Sequence, residues 1–247
     1  DIDEVLNYRR AMGHVLKRLD EMPLCLRLIK EAHQILLTGV RGRNKQPGEF
    51  RKIPNWIGAP GCELEQASFV PIGADKLQGG LNTWELFLHS EYDDKLVQLA
   101  LLHAEFEALH PFLDGNGRLG RMLIPVYLHV VGMLPYPVFY LSGYFEKNRD
   151  TYYEKLLAVS RDGDWTGWSV FFLSAVIEQA QENQTKAKQI LALYQGLQRR
   201  IADATRSQHA LATVEYVFKV PIFHTSDFVK SSGIPAPSAR TMMGMLK

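Results

Sequence analysis

The stretch HPFLDGNGRLGR, residues 110–121, gathers one histidine, one aspartate, one asparagine, three glycines and two arginines into a single short segment. Gly115, Asn116 and Gly117 tolerate left-handed or otherwise unusual backbone angles, so a turn built from them can aim consecutive N–H groups at one point. A helix starting there adds unsatisfied donors and the positive end of its dipole, which together favour an anion. Arg118 and Arg121 are three apart and share a face near that end. Two permanent guanidinium charges beside a backbone cradle suit a polyphosphate better than a single carboxylate. Asp114 precedes the cradle, where a bare carboxylate would repel such a ligand. It fits if it holds Mg²⁺, which takes one or two carboxylates together with phosphate oxygens. His110 titrates near neutral pH and can take a proton from an incoming hydroxyl. The negative end of its own helix raises its pKa, Mg²⁺ and the arginines lower it, and the balance stays open. Any three of these residues would be read as a turn and a solvated helix end; the full set on a helix-loop-helix reads as Mg²⁺–nucleotide chemistry with one histidine base. No GxxxxGK[ST] loop occurs.

Helices must position this segment. Val5, Tyr8, Met12, Val15, Leu16 and Leu19 recur at helical spacing, as do the apolar residues of Leu24 to Leu37. TGVRGRNKQPGEFRKIPNWIGAPG follows and reads as loop. Within and just beyond it, FRKIPNWI and ASFVPI look like two extended pieces of a hairpin, confined to edge positions by Pro54 and Pro71. Helices resume near Asn82. KLVQLALLHAEFEALH sets Leu96, Leu99, His103, Phe106 and His110 along one stripe, and Pro111 disfavours helix at His110 and ends it. Further helices are expected from about Gly117 to Val131, Glu146 to Val159, and Trp165 to about Ala204. The tail shows a helix, a break, a helix from Thr225, a turn at Gly233–Pro235 and a helix from Ser238, which is helix-turn-helix grammar without a following wing. His103 reads as a hydrogen-bonded core residue. His14, His33, His89, His129, His209 and His224 make no ligand spacing, and Asp93–Asp94 and Glu105/Glu107 read as solvated helix faces.

The chain has 247 residues and a formal net charge of +1, so nothing global draws it to nucleic acid or membrane. Its two cysteines, Cys25 and Cys62, form no CxxC pair and no zinc spacing, which fits a reduced, cytoplasmic setting. Met122 to Leu141 approaches spanning length, but Pro125, His129, Gly132, Pro135 and Pro137 interrupt it, and a buried helix and turn are expected instead.

The segment closely resembles the signature of Fic-domain proteins, HPFx[D/E]GNGRxxR, and meets every defining position. FRKIPNWIG, SFVPI, LLHAEFEALHPF, YLSGYFEKNRDTYYEKLLAV and GDW extend the likeness to the larger bacterial members, over roughly Asp1 to Arg200. The resemblance implies a mainly α fold: a helical bundle with a small β-hairpin flap in residues 1–203, then a partial winged-helix or helix-turn-helix domain in residues 204–247. It implies transfer of AMP from ATP, with Mg²⁺, to a Tyr, Ser or Thr hydroxyl of a target protein, possibly the chain itself, releasing pyrophosphate. By position, His110 would deprotonate the hydroxyl, Phe112 would anchor the loop and Asp114 would bind Mg²⁺. Gly115, Asn116, Gly117, Arg118, Leu119, Gly120 and Arg121 would bind the nucleotide, with Asn116 near the α-phosphate, Arg118 on the β-phosphate and Arg121 on the γ-phosphate. Tyr152 and Tyr153 fall where the family contacts the nucleoside, and Ile53 to Pro71 would be a flap that pairs with the target's backbone. Intact Gly117 and Arg118 favour AMP transfer over the phosphorylation of the Doc branch. Many relatives of this size carry an inhibitory [S/T]xxxE[G/N] helix; no such hexapeptide occurs here, Ser142 to Lys147 coming closest, so this chain is expected to be less inhibited than a longer form bearing one.

The alternative is a regulator working through the tail. Residues 204–247 carry Arg206, Lys219, Lys230, Arg240 and Lys247 against Glu215 and Asp227, a net +3, which is modest for DNA affinity. Target recruitment or homodimer formation stands beside DNA binding as the tail's role.

Overall fold

The structure, a computed structural model, describes residues 2–59 and 61–246. The chain divides into two compact units, Asp1–Ala180 and Gln181–Lys247. The first holds α1 (Ile2–Leu19), α2 (Leu26–Leu36), α3 (Ala74–Leu88), α4 (Lys95–Leu109), α5 (Asn116–Val130), α6 (Ser142–Lys147), α7 (Arg149–Asp162) and the first part of α8 (Trp165–Thr205). The second holds the rest of α8, with α9 (Ala210–Lys219), α10 (Thr225–Ser231) and α11 (Ala236–Met245). None of the described helices is long and apolar enough to cross a membrane.

In the first unit α4 packs against α3, α5 and α7, while α1 and α2 pack on each other and on α5. Because neighbours surround α4, residues on several faces of it are buried: Gln98 and Ala104 as well as Leu99, His103 and Phe106. A buried polar group there needs a partner. Gln98 donates to the Phe87 carbonyl at 2.8 Å and accepts from the Tyr127 hydroxyl at 2.7 Å. Trp84 and Trp168 place their indole N–H groups on the carbonyls of Leu102 and Ala100, at 2.9 and 2.7 Å. Asp94 caps α4 by accepting from the N–H groups of Leu96 and Val97 at 2.9 and 3.1 Å, so one of the two aspartates read as a solvated face has a structural task. Helix α3 begins at Ala74, eight residues ahead of the expected start. Gly79 and Gly80 lie inside it. At Gly80 a side chain would come to 2.6 Å from Leu109 Cδ2, so glycine is what lets α3 lie this close to α4.

The expected hairpin is reduced. Among the described residues no sheet forms, and one antiparallel bridge joins Ile57 to Phe69, with N–H···O distances of 2.9 and 3.1 Å. Pro54 and Pro71 remove donors from the two pieces on the side of the bridge away from their connection, which keeps the ladder from extending that way. In the second unit Ile201, Val214, Phe228, Ile234, Ala239 and Met242 form a separate core. Helix α11 starts at Ala236, two residues before the expected Ser238. No strand follows it among the described residues.

Two histidines of the first unit are buried and neutral. Burial pushes His33 down to about 4, and burial, with the Arg121 charge, pushes His103 down to about 3, from an ordinary 6.5. Unfolded, both bind a proton below about pH 6.5; folded, they resist it until pH 3–4. Stability is therefore complete above pH 6.5 and falls as the pH drops towards 4. The midpoint of thermal unfolding is expected to decline across that window, and His103→Phe to shallow the slope. An unchanged slope in His103→Phe would contradict the assignment.

Candidate active site

The candidate site is the six-residue link between α4 and α5 and the elements that hold it. The His110 N–H still bonds the Phe106 carbonyl at 3.1 Å, but His110 itself turns left-handed, at φ 45° and ψ 60°. Such a conformation is uncommon outside glycine, and it points the chain away from α4. The His110 ring lies with Nδ1 3.3 Å from the Glu107 carbonyl. A carbonyl can only accept, so Nδ1 carries the proton and Nε2 keeps its lone pair. Burial is the largest influence on this imidazole and holds it near 4, with Arg51 also lowering it and Asp114 opposing. Desolvation outweighs the other influences, so the ring is a neutral base at pH 7.

Phe112 is completely buried, its ring stacked on His33 at 3.7 Å between centroids. The Asn116 side chain closes the loop by accepting from the Phe112 N–H and donating to the Phe112 carbonyl, both at 2.8 Å. Gly115 takes φ 83°, and a Cβ there would meet Leu37 and His33 at 3.1 and 3.3 Å, so the position needs glycine twice over. Helix α5 then starts. The N–H groups of Asn116, Gly117 and Arg118 precede its first internal bond, Leu119 N–H to Gly115 carbonyl at 3.0 Å, and form an anion-binding terminus.

Three residues that the sequence did not single out hold this loop in place. His33 bridges it to the preceding loop: Nε2 donates to the Asp114 carbonyl at 2.9 Å and Nδ1 accepts from Gly48 N–H at 2.8 Å. Arg51 is 2% exposed and has no carboxylate partner among the described residues; it donates instead to the carbonyls of Leu109, His110 and Ile72, at 3.2, 2.9 and 2.5 Å. A guanidinium on the last carbonyls of α4 meets the negative end of that helix. Asn55 donates to the Phe112 carbonyl at 3.0 Å. These contacts join segments 51 to 81 residues apart, and no local pattern announces them.

The charged residues sort themselves. Asp114 Oδ1 accepts from Gly115 N–H at 2.6 Å and lies 3.6 Å from Arg118, while Oδ2 makes no hydrogen bond among the described residues. Arg118 pairs with Glu4 of α1 at 3.1 Å and donates to the Arg41 carbonyl at 3.2 Å, and its Nε is buried without a partner. Arg121 has no ion-pair partner among the described residues; its Nη1 lies over Gly117. No group of three metal-ligating side chains occurs among the described residues. One carboxylate with a free oxygen beside a phosphate cradle fits Mg²⁺, which completes its shell with substrate oxygens and water.

Leu119 is fully buried in the core, and Gly120 packs on Phe106 and Glu107. Tyr152 is 4% exposed and its hydroxyl lies 3.0 Å from His103 Nε2, whereas Tyr153 is 48% exposed and lines a cavity of about 440 Å³. That cavity runs between the bridge residues Ile57 and Phe69, α7 and the Glu107 end of α4. Glu107, read from the sequence as part of a solvated face, has a buried Oε1 with no partner.

Replacing Arg51 by Met fills its volume but strips three carbonyls of their donor. A loss of roughly 2–4 kcal/mol in denaturant unfolding is expected, on the cost of leaving buried acceptors unpaired. A loss within ~0.5 kcal/mol, the level of an ordinary surface change, would show that those bonds do not hold the loop.

The family model described as Fic/DOC family matches residues 23–128. Curated relatives include "Protein adenylyltransferase Fic" of Drosophila willistoni, 29% identical over 166 residues, and that of Drosophila melanogaster, 28% identical over 166 residues. Each match covers 66% of this chain and 30% of the relative, so the chain spans under a third of those proteins. Among solved structures, a Fic family protein from Desulfovibrio desulfuricans G20 has a TM-score of 0.61 at 20% identity, covering 92% of this chain and 66% of that one. A Fic domain containing signaling protein from Bacteroides thetaiotaomicron VPI-5482 has a TM-score of 0.57 at 19% identity, covering 72% of this chain and 69% of that one. These two show a shared fold. The chain thus carries a Fic/DOC family domain in residues 23–128, the stretch that contains the whole α4–α5 loop.

Proposed function

We propose that this chain is the catalytic part of a protein adenylyltransferase, moving AMP from ATP to a Tyr, Ser or Thr hydroxyl of a target protein. The observation that carries the reading is the pairing of a neutral His110, its Nε2 lone pair free, with the open N-terminus of α5 six residues on. The names of the curated relatives support it. The target's hydroxyl oxygen attacks the α-phosphorus, and His110 Nε2 takes its proton. The bond from the α-phosphorus to the oxygen bridging it to the β-phosphate breaks, and pyrophosphate leaves. The backbone N–H groups of Asn116, Gly117 and Arg118 face the charge that grows on the α-phosphate oxygens, already oriented by the helix. Asp114 would hold Mg²⁺, which supplies charge neutralisation for the leaving phosphates.

The Asn116 side chain is committed to Phe112, so in this reading it serves the phosphate through its backbone N–H. Leu119 and Gly120 act by packing α5 in place. Arg121 is ready for the γ-phosphate, and Arg118 reaches the β-phosphate once Glu4 lets go. Tyr153 faces the nucleoside cavity, and Tyr152 supports it from the core. The Ile57–Phe69 pairing, with Ile53 and Val70 exposed beside it, is the edge to which a target strand adds. Residues 204–247 are assigned to a separate helix-turn-helix module.

With Mg²⁺ and α-labelled ATP, wild type is expected to label protein and His110→Ala to lose that label. Equal label in both, or label carried only from the γ-position, would contradict the reading. Because His110 is already neutral, the transfer rate should be flat in its ionisation above about pH 6 and fall only towards its pKa near 4. Glu4→Gln frees Arg118 from a partly buried pair; at ~0.2–1 kcal/mol for the pair, KM for ATP should fall about 1.4- to fivefold. An unchanged or higher KM would remove Glu4 from the account.

A further inference from the structure

A second cavity, of about 750 Å³, takes no part in the transfer chemistry. Helix α4 gives Ala104, Glu107 and Ala108 to the cavity beside Tyr153, but Leu101 and Glu105 to this one. Three helices of the first unit build it: α3 contributes Trp84 and Phe87, and the start of α8 contributes Trp165. Tyr92, from the link between α3 and α4, meets Phe87 edge to face with 5.6 Å between ring centroids, which makes an aromatic corner. The Trp84 N–H is spent on the Leu102 carbonyl, so that ring offers an occupant no donor. Glu105, expected on a solvated helix face, is half-buried and is the one charged side chain among the described lining residues. It has no hydrogen bond or ion pair among the described residues. Its oxygens are nevertheless reachable: the buried, unpartnered side-chain atoms among the described residues belong to Asn55, Glu107 and Arg118.

These walls dictate what can fill the space. A cavity of this size lined by apolar and aromatic side chains takes a ligand with an apolar body, and its few polar groups fix the ligand's chemistry. Any occupant strips water from Glu105, whose pKa burial already holds above the ordinary carboxylate value with no other charge acting on it. A neutral or anionic occupant leaves that carboxylate uncompensated, whereas one carrying its own charged N–H donors replaces the lost water. Aromatic rings attract the same cation through their faces. We propose that this cavity binds an organic cation with an apolar body, an aryl- or alkylammonium, with its N–H groups on Glu105 and its body among Phe87, Tyr92 and Trp165. The site is independent of the nucleotide reading, and either can stand without the other.

Three probes that share a ring and a four-carbon chain but differ in charge test this: 4-phenylbutylammonium, 4-phenylbutanol and 4-phenylbutanoate. Calorimetric titration at pH 8 is expected to show the ammonium binding wild type about fivefold more tightly than the alcohol, as for a partly exposed ion pair, with the butanoate weakest. Glu105→Gln keeps the side chain's size and removes its charge, so it should bring the ammonium and the alcohol to equal affinity. Trp165→Leu keeps an apolar wall without the ring, and should weaken the ammonium about two- to fivefold, the worth of one cation–π contact, and the alcohol less. Equal binding of ammonium and alcohol to wild type, or no binding of the ammonium, overturns the proposal. So does an ammonium preference that survives in Glu105→Gln, which would put the cation at another carboxylate. Wild type that sediments as a dimer and turns monomeric in Trp165→Leu would seat a second copy in the cavity and overturn it as well. Should Trp165→Leu fail to fold, the contrast between wild type and Glu105→Gln decides alone.

Discussion

The site depends on one amide. The Asn116 side chain holds both polar backbone atoms of Phe112, and through them it fixes the distance between the end of α4 and the start of α5. Everything else in the loop is compatible with that clasp. The Phe112 ring goes into the core against His33, and His33 in turn holds the Asp114 carbonyl and the Gly48 N–H. Gly115 supplies the left-handed step that no side chain fits. The result sets the carbonyl end of one helix beside the amide end of the next, two opposite partial charges separated by six residues.

The two ends are treated differently. At the carbonyl end of α4 the buried Arg51 covers the last acceptors, so His110 is left with its proton on Nδ1 and its lone pair on Nε2. At the amide end of α5 nothing among the described residues covers the first N–H groups, and the nearest cations are in unequal states. Arg118 is occupied by Glu4 and the Arg41 carbonyl, while Arg121 has no such partner. A base kept neutral by burial and a cradle kept positive by geometry is the division of labour that phosphoryl-group transfer to a hydroxyl requires.

Much of this was legible in the sequence, and the limits are physical. Helix periodicity located α1, α2, α4 and α5 to within a few residues, and Pro111 marked the end of α4. The loop's chemistry was legible because its residues are contiguous. The start of α3 was missed because Gly79–Gly80 reads as a break, whereas here the absent side chain admits Leu109. The hairpin was overdrawn, since two extended pieces flanked by prolines can share a bridge without a ladder. Arg51, His33, Asn55 and Glu4 were invisible, being joined to the loop only by the fold. Glu107 was misread because one helical position cannot reveal that its face is covered by α5 and α7.

The most direct measurement is a crystal structure with an ATP analogue whose α,β-bridge resists cleavage, and with Mn²⁺ in place of Mg²⁺. The account predicts an anomalous peak beside Asp114, and the α-phosphorus facing His110 Nε2 with room for one hydroxyl oxygen about 3 Å from each. A triphosphate reversed so that its γ-phosphorus faces His110, or a nucleotide bound away from the start of α5, would contradict it.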